Sequence, residues 1–320
     1  MKKFFATIGD SFFYDNAFFD YYHRQVIQKY GRVSAVFRIL ESENYCEIIQ
    51  SILKIYEDGI VICFESHLEA LKSLRLQNPL LSVYVPGYFQ QPYVCSNEVW
   101  LYSLGFEKDT AILFLSPLAQ SFDVELIPVI TISNAFLIKG QNEEFMKEVN
   151  AYFGNHFVFC RGGIEVKVSE LLLEKRMRMA TAESCTGGLV AAKITALAGA
   201  SCVFNGTMVS YQDNLKQCWL GVDEGILKTY SSVSEFCVQQ MAEGIIQKAG
   251  VEFGIATSGV AGPGGGSATK PVGCVYIAVA QRGASTQVER LQFQGDRIYI
   301  QQQATHYALL MLLKALIQLG

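Results

Sequence analysis

The stretch Thr181-Ala182-Glu183-Ser184-Cys185-Thr186-Gly187-Gly188 reads as a strand running into the start of a helix. At the turn, three small polar side chains (Ser184, Cys185, Thr186) meet two glycines. A helix start exposes unpaired N–H groups and carries partial positive charge, so it can bind phosphate or carboxylate or stabilise an oxyanion. Glycine lets backbone approach a ligand closely. The plainer reading is an ordinary cap, because Ser and Thr are common before helices. Cys185 is a rival nucleophile, since a helix N-terminus lowers a thiol pKa, but no histidine lies nearby in sequence to act as its base.

Working outward, strands and helices alternate on both sides of this turn. Upstream, Ser169 reads as the cap of a helix over Glu170–Met177. Downstream, Gly187–Leu197 is an alanine-rich helix and Val203–Tyr211 a strand. Helices follow at Asp213–Trp219 and, capped by Ser234, at Glu235–Lys248. Phe253–Ser258 is a strand ending in a glycine loop, Gly259–Ser267. Val272–Ala280 and Gln287–Gln294 read as antiparallel strands joined by the Arg282-Gly283 turn. A last helix runs from Asp296 to Leu319, and its Tyr307–Leu313 stretch is apolar on all faces, as for a helix buried in a core or a subunit interface.

Three further places carry chemistry. In Tyr211-Gln212-Asp213-Asn214-Leu215-Lys216, the lysine projects from the first turns of a helix, where a cation is unfavourable. Desolvation there lowers a lysine pKa and makes a general base, and a Ser–Lys pair is a known alternative to Ser–His–Asp. A solvated surface lysine is the alternative. The loop Ser258-Gly259-Val260-Ala261-Gly262-Pro263-Gly264-Gly265-Gly266-Ser267-Ala268-Thr269-Lys270 suits a backbone that wraps a ligand, or a purely structural turn. It is not a Walker A loop, and its Ser267-x-x-Lys270 match to penicillin-recognising enzymes lacks the companion motifs. In Gly295-Asp296-Arg297, the arginine can hold a phosphate or pair with an acid.

The chain has 320 residues, enough for about two domains of ~150 residues. Half of it is apolar and 18% is charged, which excludes a disordered chain. A net charge of −4 and a pI near 5.7 argue against a protein built to grip nucleic acid. No run of 18 apolar residues is present to span a membrane, and Asp10 interrupts the apolar start before a signal peptide can form. Nine scattered cysteines without a C-x-x-C pair read as reduced thiols of a cytoplasmic protein, and four isolated histidines give no zinc pattern.

Composition shifts near residue 160: residues 1–160 hold 17 Phe and 11 Tyr, against 4 and 5 in the remainder, while glycine rises from 7 to 20. The Arg161-Gly162-Gly163 break therefore divides two domains, 1–160 and 161–320. In the first, Phe4–Ile8, Val33–Ile39, Gly59–Phe64 and Thr110–Leu115 read as strands. Glu43–Tyr56 reads as a helix capped by Ser42, and Asn78–Gln91 as loop. Strand alternating with helix gives an α/β fold in both halves.

Taken together, Ala182–Gly188 (AESCTGG), Tyr211–Lys216 (YQDNLK), Ser258–Gly266 (SGVAGPGGG), Lys270–Gly273 (KPVG) and Gly295–Arg297 (GDR) occur in an order and spacing that resemble the C-terminal domain of the CinA competence/damage-inducible family. The resemblance covers roughly residues 165–320 and implies a nicotinamide mononucleotide deamidase, an amidohydrolase yielding nicotinate mononucleotide and ammonia. It implies Ser184 as nucleophile, Lys216 as its base and Tyr211 as their partner. Substrate contacts are then expected from Thr186, Gly187 and Gly188 at the helix start. Gly259, Gly262, Gly265 and Gly266 of the loop, with Arg297, are expected to hold the ribose phosphate. No metal or other cofactor is implied. The fold implied is a three-layer α/β/α sandwich with a mixed sheet, in a homodimer or higher homo-oligomer.

Two departures stand out. Asp213 replaces the usual Asn, which puts a negative charge near Lys216 and raises its pKa; Gly264 replaces the usual Asp. The first half resembles the family's molybdopterin-binding-like α/β domain only faintly, through Ile8-Gly9-Asp10 and the strand Ile60–Phe64. The family's glycine-rich loop after that strand is here Glu65-Ser66-His67-Leu68, so this half is expected to have lost pyrophosphatase activity and to serve as a scaffold or dimerisation unit. Two readings stay open: a deamidase, and a non-catalytic binding or assembly protein on the same fold.

Overall fold

The computed structural model describes all residues except 1, 31, 42, 57, 68–69, 72–73, 75–77, 79–80, 85–98, 105, 130–133, 140–142, 162 and 320. The described residues form three sheets.

The first contains β1 (Lys3–Ile8), α1 (Asp10–Tyr14), α2 (Asn16–Tyr30), β2 (Ala35–Ile39), α3 (Tyr45–Leu53), β3 (Asp58–Cys63) and β4 (Leu81–Tyr84). Its strand order is β2-β1-β3-β4, and every pairing is parallel. The central strands β1 and β3 are buried almost throughout, which is why they read as unbroken apolar runs. The loop expected over Asn78–Gln91 includes strand β4; residues 79–80 and 85–91 lie outside the described residues, as does the expected cap Ser42. Asn44 occupies the N-cap position of α3.

The second sheet contains β5 (Val99–Ser103), α4 (Lys108–Ser121), β6 (Glu125–Pro128), β7 (Ala135–Lys139), α5 (Glu143–Phe153) and β8 (Phe157–Arg161). Its antiparallel order β6-β7-β5-β8 with two crossing helices is a ferredoxin-like βαββαβ unit. The half expected as one domain thus carries two separate sheets. Thr110–Leu115, expected as a strand, lies inside α4. Ala111, Leu115 and Ala119 are buried at a spacing of four, whereas Leu113 is 70% exposed. A six-residue apolar run has no visible period until its flanks are counted.

The third sheet follows α6 (Ile164–Glu174). It contains β9 (Met179–Glu183), α7 (Leu189–Thr195), β10 (Phe204–Val209), α8 (Asp213–Leu220), α9 (Glu224–Tyr230), α10 (Glu235–Ala249), β11 (Phe253–Gly259), β12 (Cys274–Gln281), β13 (Gln287–Gln292) and α11 (Arg297–Gln318). The order is β10-β9-β11-β12-β13, with β9, β10 and β11 parallel and β12 and β13 antiparallel. Helices α6, α7 and α11 cover one face and α8, α9 and α10 the other, giving the expected three-layer α/β/α sandwich with a mixed sheet. Ser169, expected as a cap, sits in mid-helix: α6 starts after Gly163, and Ile164, Val168 and Leu172 supply its buried stripe. Ser234 caps its helix as expected, accepting from the Cys237 N–H, and Asp296, expected as the first residue of the last helix, is its cap, accepting from the Tyr299 N–H.

The all-round apolar character of α11 has a direct cause. One core joins Trp100, Tyr102, Leu137 and Val158 of the second sheet to Ile255, Val275 and Ile277 of the third, with Ala308, Leu309, Leu312 and Leu316 of α11 between them. The helix is buried from two sides by two sheets. No helix of the described residues is long and apolar enough to cross a membrane.

Candidate active site

In the third sheet the chain leaves β9 for β10 on one side and later returns to β11 on the other. Such a reversal of strand order opens a crevice at the carboxyl ends of the strands. Ser184 directly follows β9, Tyr211 lies two residues beyond β10, and the glycine loop follows β11. Lys216 reaches the same edge from the first turns of α8. Helix α10 approaches the end of α8 closely at Gly244, where a Cβ would lie 1.9 Å from the Leu220 carbonyl oxygen.

The lysine Nζ lies 3.3 Å from Ser184 Oγ, 2.8 Å from the Ser210 carbonyl oxygen and 3.3 Å from that of Tyr211. Lys216 is 1% exposed. A neutral amine has two N–H bonds and one lone pair. The two carbonyls accept the N–H bonds, which leaves the lone pair for the Ser184 hydroxyl. Burial pulls the Lys216 pKa below its ordinary value, and Asp213, with its Oδ1 at 3.7 Å, opposes this. The sign expected for Asp213 is correct, but its carboxylate is exposed and desolvation of the lysine outweighs it.

Cys185 is buried, and burial pushes its thiol up to about 12, so it is protonated at neutral pH. This removes the rival nucleophile.

The helix start differs from expectation. The buried Glu183 carboxylate accepts from the N–H groups of Gly188, Val190 and Ala191 at 2.8, 3.2 and 2.9 Å, and from the hydroxyls of Thr181 and Thr186 at 3.0 and 2.7 Å. The partial positive charge of α7 is therefore met by a residue of the chain itself. The Thr186 hydroxyl also bonds Thr257 Oγ1 and is turned into the core, and the Gly188 amide is committed to Glu183. The sequence had suggested both as substrate contacts, but each is engaged within the chain. Gly187 is exposed with φ +63°. The amides of Cys185 and Thr186, beside Ser184, are directed at the Cys185 sulfur. Glu183 escaped the sequence reading of function, although an acid just before a helix start is itself a signal for such a cap. Gln301 was also missed; its Nε2 donates to the Cys185 carbonyl at 2.7 Å and steadies the turn from α11.

Arg297 joins the glycine loop to the dyad. Its Nη1 donates to the Gly262 carbonyl at 3.0 Å and its Nη2 to the Tyr211 hydroxyl, while the Tyr211 carbonyl accepts from Lys216. Ser184, Lys216, Tyr211, Arg297 and Gly262 thus form one connected network. Gly259 permits close strand packing, since a Cβ there would lie 2.7 Å from the Cys274 carbonyl oxygen. Gly265 and Gly266 have no hydrogen bond to this network among the described residues. The Gly264 departure is sterically silent, with no heavy atom within 4 Å of a Cβ placed there. Ser267 and Lys270 do not form a second dyad: the Lys270 Nζ is held by the Tyr230 carbonyl at 2.6 Å and by Ser231 Oγ at 2.8 Å. No cluster suited to a metal ion occurs among the described residues.

At the carboxyl ends of the first sheet's strands a crevice of about 380 Å³ is lined by Asp10, Ser11, Glu41, Phe64 and Ser66 and, from the second sheet's unit, by Lys108 and Glu125–Pro128. The Phe64 ring fills the space over Gly9, where a Cβ would meet it at 2.8 Å, and packs on Phe12. Three carboxylates against one lysine make this crevice poor for phosphate. Leu68 of the expected degenerate loop lies outside the described residues.

Residues 162–316 match the CinA C-terminal domain family. A CinA-like protein of Akkermansia muciniphila is 46% identical over 144 residues, 45% of this chain and 35% of that protein. A CinA-like protein of Thermotoga neapolitana is 38% identical over 201 residues, 63% of this chain and 44% of that protein. A putative competence-damage inducible protein of Caldicellulosiruptor saccharolyticus is 36% identical over 200 residues, 62% of this chain and 48% of that protein. The chain thus spans less than half the length of these curated relatives. A crystal structure of a CinA superfamily protein from Klebsiella pneumoniae is 37% identical, covers 48% of this chain and 96% of its own, and has a TM-score of 0.47.

Proposed function

As residues 162–316 belong to the CinA C-terminal domain family, we propose that this chain is a nicotinamide mononucleotide deamidase working through Ser184 and Lys216. The observation that carries this reading is the buried Lys216 amine, 3.3 Å from the Ser184 hydroxyl with two carbonyls on its other side. Desolvation lowers the pKa of such a lysine and favours its neutral, basic form, and one so oriented has a single group to deprotonate.

The chemistry balances without a cofactor. Ser184 Oγ attacks the carboxamide carbon as its proton passes to Lys216 Nζ. The tetrahedral adduct collapses as Lys216 returns the proton to the amide nitrogen, which leaves as ammonia. Water, deprotonated by Lys216, then attacks the acyl ester; the carboxylate leaves and Ser184 regains its proton. Arg297 uses two N–H groups on Tyr211 and Gly262, so its others are available to the ribose phosphate.

The test is ammonia release from nicotinamide mononucleotide by the purified chain and by Ser184→Ala, across a pH series. Release that disappears with the hydroxyl supports the reading. Well-folded chain that releases none at any pH overturns it, in favour of a binding or assembly protein on this fold.

A further inference from the structure

Helix α2 of the first unit reaches the corner that carries Arg297. The Arg24 Nε donates to Asp296 Oδ2 at 3.2 Å, while Asp296 Oδ1 accepts from the Tyr299 N–H at 2.8 Å. One carboxylate thus caps α11 and holds α2. The Tyr21 ring lies on the buried Tyr299 ring, with centroids 4.9 Å apart and planes 24° apart. Gly295, at φ +119°, lets that ring sit against the backbone; a Cβ there would lie 2.5 Å from the Tyr299 ring. The next residue along from Asp296 is Arg297, which ties Tyr211 to Gly262.

We propose that the amino-terminal unit is a positioning element of the Ser184 site: through Arg24 and Tyr21, α2 holds the first turn of α11 so that Arg297 reaches both Tyr211 and the glycine loop. Arg24 acts through Arg297 and touches neither the dyad nor the substrate. The three residues of the Gly295-Asp296-Arg297 corner divide the work: the glycine admits Tyr299, the aspartate joins cap and α2, and the arginine serves the site. This gives a role to a unit whose own crevice is lined by three carboxylates against one lysine. Arg24 and Asp296 are each about one-third exposed, so the pair owes its effect to geometry more than to its own energy.

The inference rests on the deamidase reading for its kinetic test, and a second measurement frees it from that dependence. In the full chain, Arg24→Ala should raise KM for nicotinamide mononucleotide about three- to tenfold, leaving the pH profile of kcat unchanged because the dyad is intact. Arg24→Lys should restore most of the loss. Combined with Arg297→Ala, Arg24→Ala should add nothing further, because both act through one contact. An unchanged KM in folded Arg24→Ala, or multiplicative effects in the double variant, overturns the proposal. Independently of substrate, the Tyr299 amide should exchange its hydrogen faster in Arg24→Ala than in the parent chain; equal exchange overturns it as well. If the parent chain releases no ammonia, the deamidase reading falls alone and amide exchange decides the coupling.

Discussion

The first and third sheets present the same kind of crevice with opposite contents. In the first, order β2-β1-β3-β4 places the reversal at β1; in the third, β10-β9-β11 places it at β9. Both reversals open a crevice at strand carboxyl ends. In the third, Ser184 and a buried Lys216 meet there, with Arg297 bridging to the loop. In the first, Asp10, Glu41 and Glu125 face one lysine, and an aromatic ring fills the space above the glycine. Topology supplies the place, and a handful of side chains decides whether it can do chemistry.

Several substitutions would break or sharpen this contrast. Lys216→Met should have the largest effect. It keeps the side-chain length but removes the base, and ammonia release should fall about 10²- to 10⁴-fold at neutral pH. The fold should survive it, because an apolar group replaces a buried amine; thermal melting checks this. Glu183→Ala comes next. It strips the carboxylate from three amides, two of them buried, and from the Thr181 and Thr186 hydroxyls, of which Thr186 keeps Thr257, and should cost on the order of 3 kcal/mol in denaturant unfolding.

Asp213→Asn should act more mildly. A lysine base works only when unprotonated, so the rate rises as pH passes through its pKa. Asp213 raises that pKa, and its removal should move the acidic limb of kcat to lower pH. Rates at the foot of the limb should rise about two- to fivefold, the range for one exposed charge. Smallest of all, Asp10→Asn with Glu41→Gln should leave ammonia release unchanged within about twofold, because the first crevice takes no part. A large loss there would tie the two crevices together and end the contrast.

Much of the third sheet was legible along the chain. β9, β10 and β11 each end in a short polar or glycine segment before the next element, and Ser234 announces its helix by ordinary capping. The second sheet was not legible. Its first helix contains the apolar run Thr110–Leu115 and carries Pro117, which together mimic a strand and a break. Ser169 misled in the same manner, as a good cap residue placed inside a helix whose stripe begins at Ile164. In the site, Ser184, Lys216 and Arg297 were singled out from their local sequence and Tyr211 from the family resemblance, and the structure brings the four together. Thr186 and Gly188 were misassigned because nothing local revealed that the Glu183 side chain folds back onto the helix start.

The amino-acid order by itself determined the kind of fold in the second half and the place of the candidate site at strand ends. Those are short-range matters of periodicity, caps and glycine, resolved within a few residues, whereas the choice of Ser184 and Lys216 there came from the resemblance of five ordered motifs. Only the tertiary structure decided that Lys216 is buried enough for desolvation to outweigh Asp213, that the Cys185 thiol stays protonated, and that α11 lies between two sheets with its first turn held by α2. Solvation of a charge and burial of a helix face depend on residues far along the chain, from Ser184, 32 positions before Lys216, to Arg24, 272 before Asp296, which no local window contains.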